Sequence, residues 1–480
     1  MQEEIFSPVS REIPYESPER IYGRLKTRNS FLFESVKGPA SISRYSFIGI
    51  DPYLIFTVKD GLNEIEFAGK KTVSFRNPLS RLRELVNSYR QKPVEGLPPF
   101  QGGAAGMLCY DFVRYLEEIP GNAVDDLRIP DAHFFMIDRL IAFDHVAERC
   151  WIIVCPGVRE TVLGYSEIRG GRSEHEEKAT AAVEEIYRRT LQGAAEDLRL
   201  NKLRRKIEIV NETGKTGYMD MVMKAKEYIA AGDIFQANLS LRVSGDIGDR
   251  SPWDLYRKLR EINPSPFSAF MDFGGYQIVS SSPERLVRVR GRVVDTRPIA
   301  GTRPRGKNAG EDEELRAELL LNEKERAEHI MLIDLERNDL GRVSEYGTVA
   351  VDELMVTEEY SHVMHIVSNV RGVLAEGNDC FSVIEAAFPG GTITGVPKVR
   401  CMEIIDEIEA TRRGPYTGSL GYIGFNGYMD FNIIIRTFLI KEGRAYIQAG
   451  AGIVADSDPE REYHESMKKA EALIKTLESI

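Results

Sequence analysis

Two pairs of glutamates, each pair three residues apart, stand in segments with helical patterning: Glu325 and Glu328, then Glu462 and Glu465. Residues three apart share one face of a helix. Two such faces meeting would gather carboxylates in one pocket. That donor set suits Mg2+, a hard cation that keeps several waters and leaves room for a substrate carboxylate. The same spacing also occurs on solvated helix faces, and spacing alone does not separate the two. The segment QAGAGIVAD carries Gly450, Ala451 and Gly452. Small residues after a strand either let a ligand approach backbone N–H groups or form a tight packing corner. Arg436 in IIIRT reads as closing a strand of apolar residues, where a guanidinium either forks onto a ligand carboxylate or closes an internal salt bridge. Glu284 in SSSPERL and His365 in YSHVMHIVSN are candidate proton carriers. A turn carboxylate and a satisfied core imidazole are the plainer alternatives. No phosphate-binding loop is present: FPGGTITGVPK has the glycines but not the terminal Gly-Lys-Ser/Thr.

The elements that must position these residues divide the chain into three stretches. Residues 1–163 carry short apolar runs with Gly and Pro punctuation, such as RYSFIGIDPYLIFTV, and read as strands with a few short helices. Residues 164–216 are polar and charged and read as a helix-containing connector. Residues 217–480 mix strands with long helices. GEDEELRAELLLNEKERAEHIMLIDLE reads as one helix, and PKVRCMEIIDEIEATR as another. Ser251–Pro252 and Asp458–Pro459 each pair an N-cap with a first-turn proline. Hairpin turns are expected at Arg290–Gly291 and Glu442–Gly443. Strands and helices without strict alternation imply an α+β fold.

The bulk numbers exclude several classes. The 480 residues are 42% hydrophobic and 29% charged, as in a globular protein. A net charge of −11 argues against nucleic acid as a partner. It also means that an anionic substrate needs a local pocket of cations, amides or metal. No apolar run is long enough to span a bilayer, and the start MQEEIFSPVSREIPYESPER lacks the basic and apolar parts of a signal peptide. The five cysteines are scattered with no C-x-x-C pair, which implies reduced thiols and a cytoplasmic location. Cys150 and Cys155 read as strand core or as the corner of a metal site.

Seven segments fall in the order seen in chorismate-utilising enzymes: DIFQANLS, SSSPERL, TRPIAGTRPRG, AEHIMLIDLERNDLGRV, FPGGTITGVPKVRCMEIIDE, GSLGYIGFNGYMDFNIIIRT and QAGAGIVADSDPEREYHES. Together with FLFES, RYSFIG and YDFVRYLEEIP they resemble the first components of anthranilate synthase and aminodeoxychorismate synthase. The resemblance is dense from Gly217 onward and looser over residues 20–145. It implies a large α+β core of two sheets packed orthogonally, needing both halves of the chain. It also implies Mg2+ on Glu328 and Glu465, with Glu325 and Glu462 supporting. By the same resemblance Gly301, Thr302, Tyr416, Arg436 and the Gly450–Ala451–Gly452 amides would bind substrate carboxylates. Thr392 would contact the ring side, and Glu284 and His365 would move protons.

Within the family, isochorismate and salicylate synthases place a Lys where this chain has Gln236, to activate water. Gln cannot act as that base, so ammonia is the expected nucleophile. Aminodeoxychorismate synthases typically carry a nucleophilic Lys where this chain has Ala300, which favours direct ammonia addition and anthranilate formation. DIFQANLS, PFSAF, FPGGTITG and LIDLERND lean the other way, toward aminodeoxychorismate synthase. Ammonia is expected from a separate glutaminase subunit, since the resemblance leaves no stretch for one here. In anthranilate synthases Ser35 of FLFES lies near a tryptophan site, faced by a segment that reads like PYM. Here that segment is Pro266, Phe267 and Ser268, and Ser268 removes an apolar contact, so weak tryptophan binding is expected.

Overall fold

The computed structural model describes residues 6–39, 42–161, 172–192, 206–359 and 363–480. Parts of the expected connector, and Tyr360–His362 of YSHVMHIVSN, lie outside the described residues.

Two antiparallel sheets of twelve strands each form the core. Each sheet is woven from both ends of the chain. In the first, Ser30–Glu34 pairs with Phe267–Asp272, which continues through Tyr276–Ser282, Thr437–Lys441 and Arg444–Ile453 to Gln236–Asp246. In the second, Gly103–Leu108 pairs with Ser419–Gly424, which leads through Met429–Ile433, Arg285–Arg290 and Val293–Thr296 to Val363–Val373. The stretches 1–163 and 217–480 therefore share both sheets, and a cut between them would strip each sheet of hydrogen-bonded neighbours. The sheets are apolar on both faces: Phe56, Phe134 and Phe431 fill one cluster, and Phe31, Phe135 and Ile278 fill another on the opposite face. Cys150 and Cys155 are buried core thiols, and Cys155 Sγ donates to Gln101 O at 3.0 Å.

The local signals act as their chemistry requires. Ser251 caps the helix Pro252–Ile262 by accepting from Asp254 N, and Asp458 caps Pro459–Glu478 by accepting from Arg461 N. Glu442 and Gly443 both adopt positive φ in the turn between Thr437–Lys441 and Arg444–Ile453. The other hairpin turns at Gly291–Arg292, one residue later than expected, because Arg290 still pairs with Val293.

Two expectations need correction. The long helix expected over GEDEELRAELLLNEKERAEHIMLIDLE is two helices, Ala309–Leu321 and Glu323–Gly341. Asn322 breaks it: its side chain accepts from Glu325 N and starts the second helix. Glu325 and Glu328 thereby fall in the opening turns of a helix, not mid-helix. Arg436 does not close a strand. The strand Met429–Ile433 ends earlier, and Arg436, at φ 50°, lies where the chain leaves the second sheet for Thr437–Lys441 in the first.

Candidate active site

A second change of sheet runs beside that one. Between Tyr276–Ser282 in the first sheet and Arg285–Arg290 in the second stand Pro283 and Glu284. The two crossings are stitched together: Ile433 N donates to Glu284 O at 3.0 Å and Ser281 N to Arg436 O at 3.1 Å. An acid and a guanidinium are thus held at the seam between the sheets by backbone bonds, which fix them more firmly than a free loop would.

Glu284 is 7% exposed, and Thr392 Oγ1 donates to its Oε1 at 3.0 Å. Burial pushes its carboxyl up to about 7, against the opposing pull of the Thr392 hydroxyl and the charges of Arg436 and Lys469. Near neutrality it is poised to give or take a proton. Thr392 sits in the short helical turn Gly391–Ile393.

His365 lies on Val363–Val373 opposite Thr302 of Ile299–Pro304. Its Nδ1 is 3.0 Å from Thr302 Oγ1 and 3.2 Å from Gly301 O. A carbonyl can only accept, so Nδ1 carries the proton and Nε2 the lone pair. Burial and the Arg436 charge lower its pKa to about 4, which keeps the ring neutral. The register shifts at Gly301, whose φ is +61°. A Cβ there would come within 2.8 Å of Leu319 Cδ1 and 3.0 Å of Glu325 Oε2. Gly301 is the point where this strand touches the helix that carries the glutamate pair.

The two pairs do face each other. Glu328 is raised by burial and by the charges of Glu325 and Glu465, and Glu462 by burial and by Glu465, with Ser457 opposing. Among the described residues, no three carboxylate, imidazole or thiol groups are drawn close enough to hold a metal ion as they stand. The donor set fits a hard cation all the same. All four donors are carboxylates, and the mutual repulsion that raises two of them is what a divalent ion relieves.

Lys469, which the motif reading missed, bridges this cluster to the glycine-rich strand. Its Nζ is 2.9 Å from Glu465 Oε1 and donates to Gly450 O at 3.0 Å. Its position four residues after Glu465, on the same helical face, was the available signal. Because N–H and C=O of one strand residue point the same way, Gly450 and Gly452 turn their amides away from the ladder, toward Lys469. Ala451, opposite Leu239, turns its amide into the ladder. The expected set of three amides is corrected to two, because these residues lie within the strand Arg444–Ile453 rather than after it.

Arg413 was also missed, and it ties the site's walls together. It is 3% exposed and donates to Glu409 Oε2 at 2.9 Å and Oε1 at 2.7 Å, to Ile393 O at 3.0 Å, to Thr417 Oγ1 at 3.2 Å and to Asn238 O. Those partners neighbour Thr392, Tyr416 and Gln236. The Tyr416 ring lies 5.7 Å from the Arg413 guanidinium, and Thr417 N donates to Ile434 O at 2.8 Å near Arg436. Removing one member leaves a buried charge without its partner. Glu409→Ala is therefore expected to cost about 3–5 kcal/mol in denaturant unfolding and to lower activity with it. A loss under about 1 kcal/mol would contradict this role.

Ser35, Pro266, Phe267 and Ser268, expected to share a regulatory site, line one cavity of about 320 Å3 together with Arg44 and Tyr422. Ser35 Oγ donates to Pro266 O at 3.1 Å, and Ser268 Oγ to Ser265 O at 3.1 Å. Ser268 puts a small polar side chain in that wall. Calorimetry with tryptophan is expected to give little heat, and submicromolar binding would contradict that.

An acid poised near neutrality, a neutral imidazole, two cationic side chains and a carboxylate cluster thus lie within electrostatic reach of one another. A family model described as chorismate binding enzyme matches residues 28–475, and the chain belongs to that family. It is 43% identical over 98% of its length to aminodeoxychorismate synthase component 1 of Bacillus subtilis, covering 97% of that protein. It is 44% identical to anthranilate synthase component 1 of Thermus thermophilus, with 96% of each chain covered. The crystal structure of anthranilate synthase component I from Streptococcus pneumoniae superposes with a TM-score of 0.77 at 36% identity, covering 90% of this chain and 92% of that one. The menaquinone-specific isochorismate synthase from Escherichia coli, at 16% identity and a TM-score of 0.68 over 98% and 94% of the chains, shares the fold. Among the described residues, no helix is long and apolar enough to cross a membrane.

Proposed function

We propose that the chain aminates chorismate with ammonia and eliminates pyruvate to give anthranilate, a step of tryptophan biosynthesis. The carrying observation is the absence of an amine at the two positions where a lysine would change the reaction. Gln236, 5% exposed, has an amide against Gly452 that cannot take a proton from water. Ala300, 8% exposed beside Gly301, cannot attack the ring. Ammonia is left as the nucleophile.

Arg436, Lys469, the Thr302 hydroxyl and the Gly450 and Gly452 amides bind the two substrate carboxylates, and Tyr416 closes that wall. Glu284 donates its proton to the departing C4 hydroxyl, which leaves as water while ammonia bonds to C2 and the ring double bonds shift. The carboxylate then takes the extra proton from the new ammonium. His365 Nε2 accepts the C2 proton as the C3–O bond breaks, the ring becomes aromatic, and the side chain leaves as enolpyruvate, which takes a proton at its methylene carbon to become pyruvate. Glu328 and Glu465, with Glu325 and Glu462 in support, would hold Mg2+, which would supply positive charge for the ring carboxylate and the leaving oxygen.

The motifs DIFQANLS, PFSAF, FPGGTITG and LIDLERND, beside a relative of that name at 43% identity, support a second reading, amination at C4 to aminodeoxychorismate. Incubating the chain with chorismate, Mg2+ and an ammonium salt separates the two by product mass and fluorescence. Anthranilate and pyruvate in equal amounts support the first reading. A product that yields 4-aminobenzoate only after a lyase is added supports the second. The chain is read as cytoplasmic and as working with a separate glutamine amidotransferase.

A further inference from the structure

Three side chains of the strand Gln236–Asp246 stand in a row on one face, because alternate residues of a strand point the same way: Gln236, Asn238 and Ser240. Ser240 is satisfied. Its hydroxyl donates to Glu409 Oε1 at 2.9 Å and accepts from Gln448 Nε2 at 2.8 Å. The other two are not. Gln236 Oε1 and Asn238 Oδ1 are both enclosed, and neither has a hydrogen-bond partner among the described residues. A buried oxygen without a donor is costly, and two such oxygens side by side call for a ligand.

The row faces the site. Ser240 reaches Glu409, the partner of Arg413. Asn238 is gripped at both backbone groups: its N donates to Thr394 O at 2.8 Å, and its O accepts from Arg413. Its side chain is thereby fixed between the turn that carries Thr392 and the bracket beside Tyr416. The two amides also account for the two glycines facing them. A Cβ on Gly450 would lie 2.9 Å from Asn238 Oδ1, and one on Gly452 would lie 2.4 Å from Gln236 Nε2. Each glycine leaves room for one amide to lean over the neighbouring strand.

The missing partner must bring hydrogen-bond donors. The two carboxylates of chorismate bring only acceptors, and its hydroxyl is the group that leaves toward Glu284. Ammonia has three N–H groups and one lone pair. Two carbonyl oxygens can take two of those N–H groups and leave the lone pair free toward the ring, which fixes the direction of attack. We propose that Asn238 is an ammonia-positioning residue, whose Oδ1 seats the attacking nitrogen together with Gln236 Oε1 over Gly450 and Gly452. The proposal rests on the reading of ammonia as nucleophile, and it gives Gln236 a partner in that role.

The test uses the full chain with Asn238→Leu, which keeps the volume and removes the acceptor, and with Asn238→Asp, which keeps an acceptor and removes the N–H. Ammonium dependence is measured at saturating chorismate, and for the Leu variant chorismate dependence at saturating ammonium. A KM does not depend on how much of a variant folds. Asn238→Leu is expected to raise the KM for ammonium about tenfold, the worth of one hydrogen bond, and to leave the KM for chorismate within about twofold. Asn238→Asp is expected to hold the KM for ammonium within about threefold of the parent. An unchanged ammonium KM in the Leu variant overturns the proposal. So does a rise confined to the chorismate KM, since the amide N–H would then bind a substrate carboxylate, and so does an Asp variant as poor in ammonium as the Leu variant. A parent chain inert with ammonium defeats the reading beneath it instead.

Discussion

Glu328→Gln is expected to cut chorismate turnover by about a thousandfold, roughly 4 kcal/mol of transition-state stabilisation, without weakening the fold. Glu328 is raised by burial and by Glu325 and Glu465, so removing its charge relieves that repulsion. Its pKa is raised in the folded state, so its contribution to stability is full below the unfolded value of 4.5 and is lost as pH rises through the folded value. At pH 8 the neutral variant should therefore melt at or above the parent. Mg2+ gives a readout independent of turnover. Magnesium at a hundred times its Kd should stabilise the parent by about 2.7 kcal/mol and do far less for the variant. A variant that melts earlier, or gains as much from Mg2+ as the parent, would contradict the metal assignment.

Glu284→Gln is expected to lower kcat by about 10^2 to 10^4, the usual range for loss of a positioned acid. The pH dependence is more specific. With rates corrected for the fraction of free ammonia, the parent should lose activity as pH rises through about 7, where the Glu284 proton departs. The residual activity of the variant should lack that limb. Stability moves in the matching sense. A carboxyl whose folded pKa is raised contributes stability below 4.5 that is lost as pH rises through about 7. The Gln variant should thus gain on the parent by roughly 3 kcal/mol at pH 9, and not at pH 4. Thr392 can still donate to the Gln carbonyl, so the change isolates the proton. A variant retaining the alkaline limb would place the titrating group elsewhere.

Much of the site was legible in the sequence because its residues are chemically odd where they stand: a guanidinium after IIIRT, a glutamate after three serines, glutamates doubled at helical spacing. What those residues do depends on neighbours that periodicity does not reach. Glu284 and Arg436 meet because the chain changes sheet twice in adjacent places, and strand patterning says nothing about which sheet a strand joins. The break at Asn322 was readable, since Asn followed three residues later by Glu is a helix-start signal, but the charged repeat on both sides masks it. The orientation of the Gly450–Gly452 amides required the register with Gln236–Asp246. Arg413 sits in a polar stretch that reads as loop, and only burial reveals it as the bracket for three walls of the site.

The central claim is that this chain's nucleophile is ammonia and not water. Its most direct test is to hold the purified chain with chorismate and Mg2+ and follow chorismate and pyruvate before and after ammonium is added. The account predicts that neither changes until ammonium is present, and that an aminated product then accumulates as chorismate disappears. Conversion of chorismate to isochorismate or salicylate without ammonium would contradict it, and would mean that the pocket around Gln236 activates water after all.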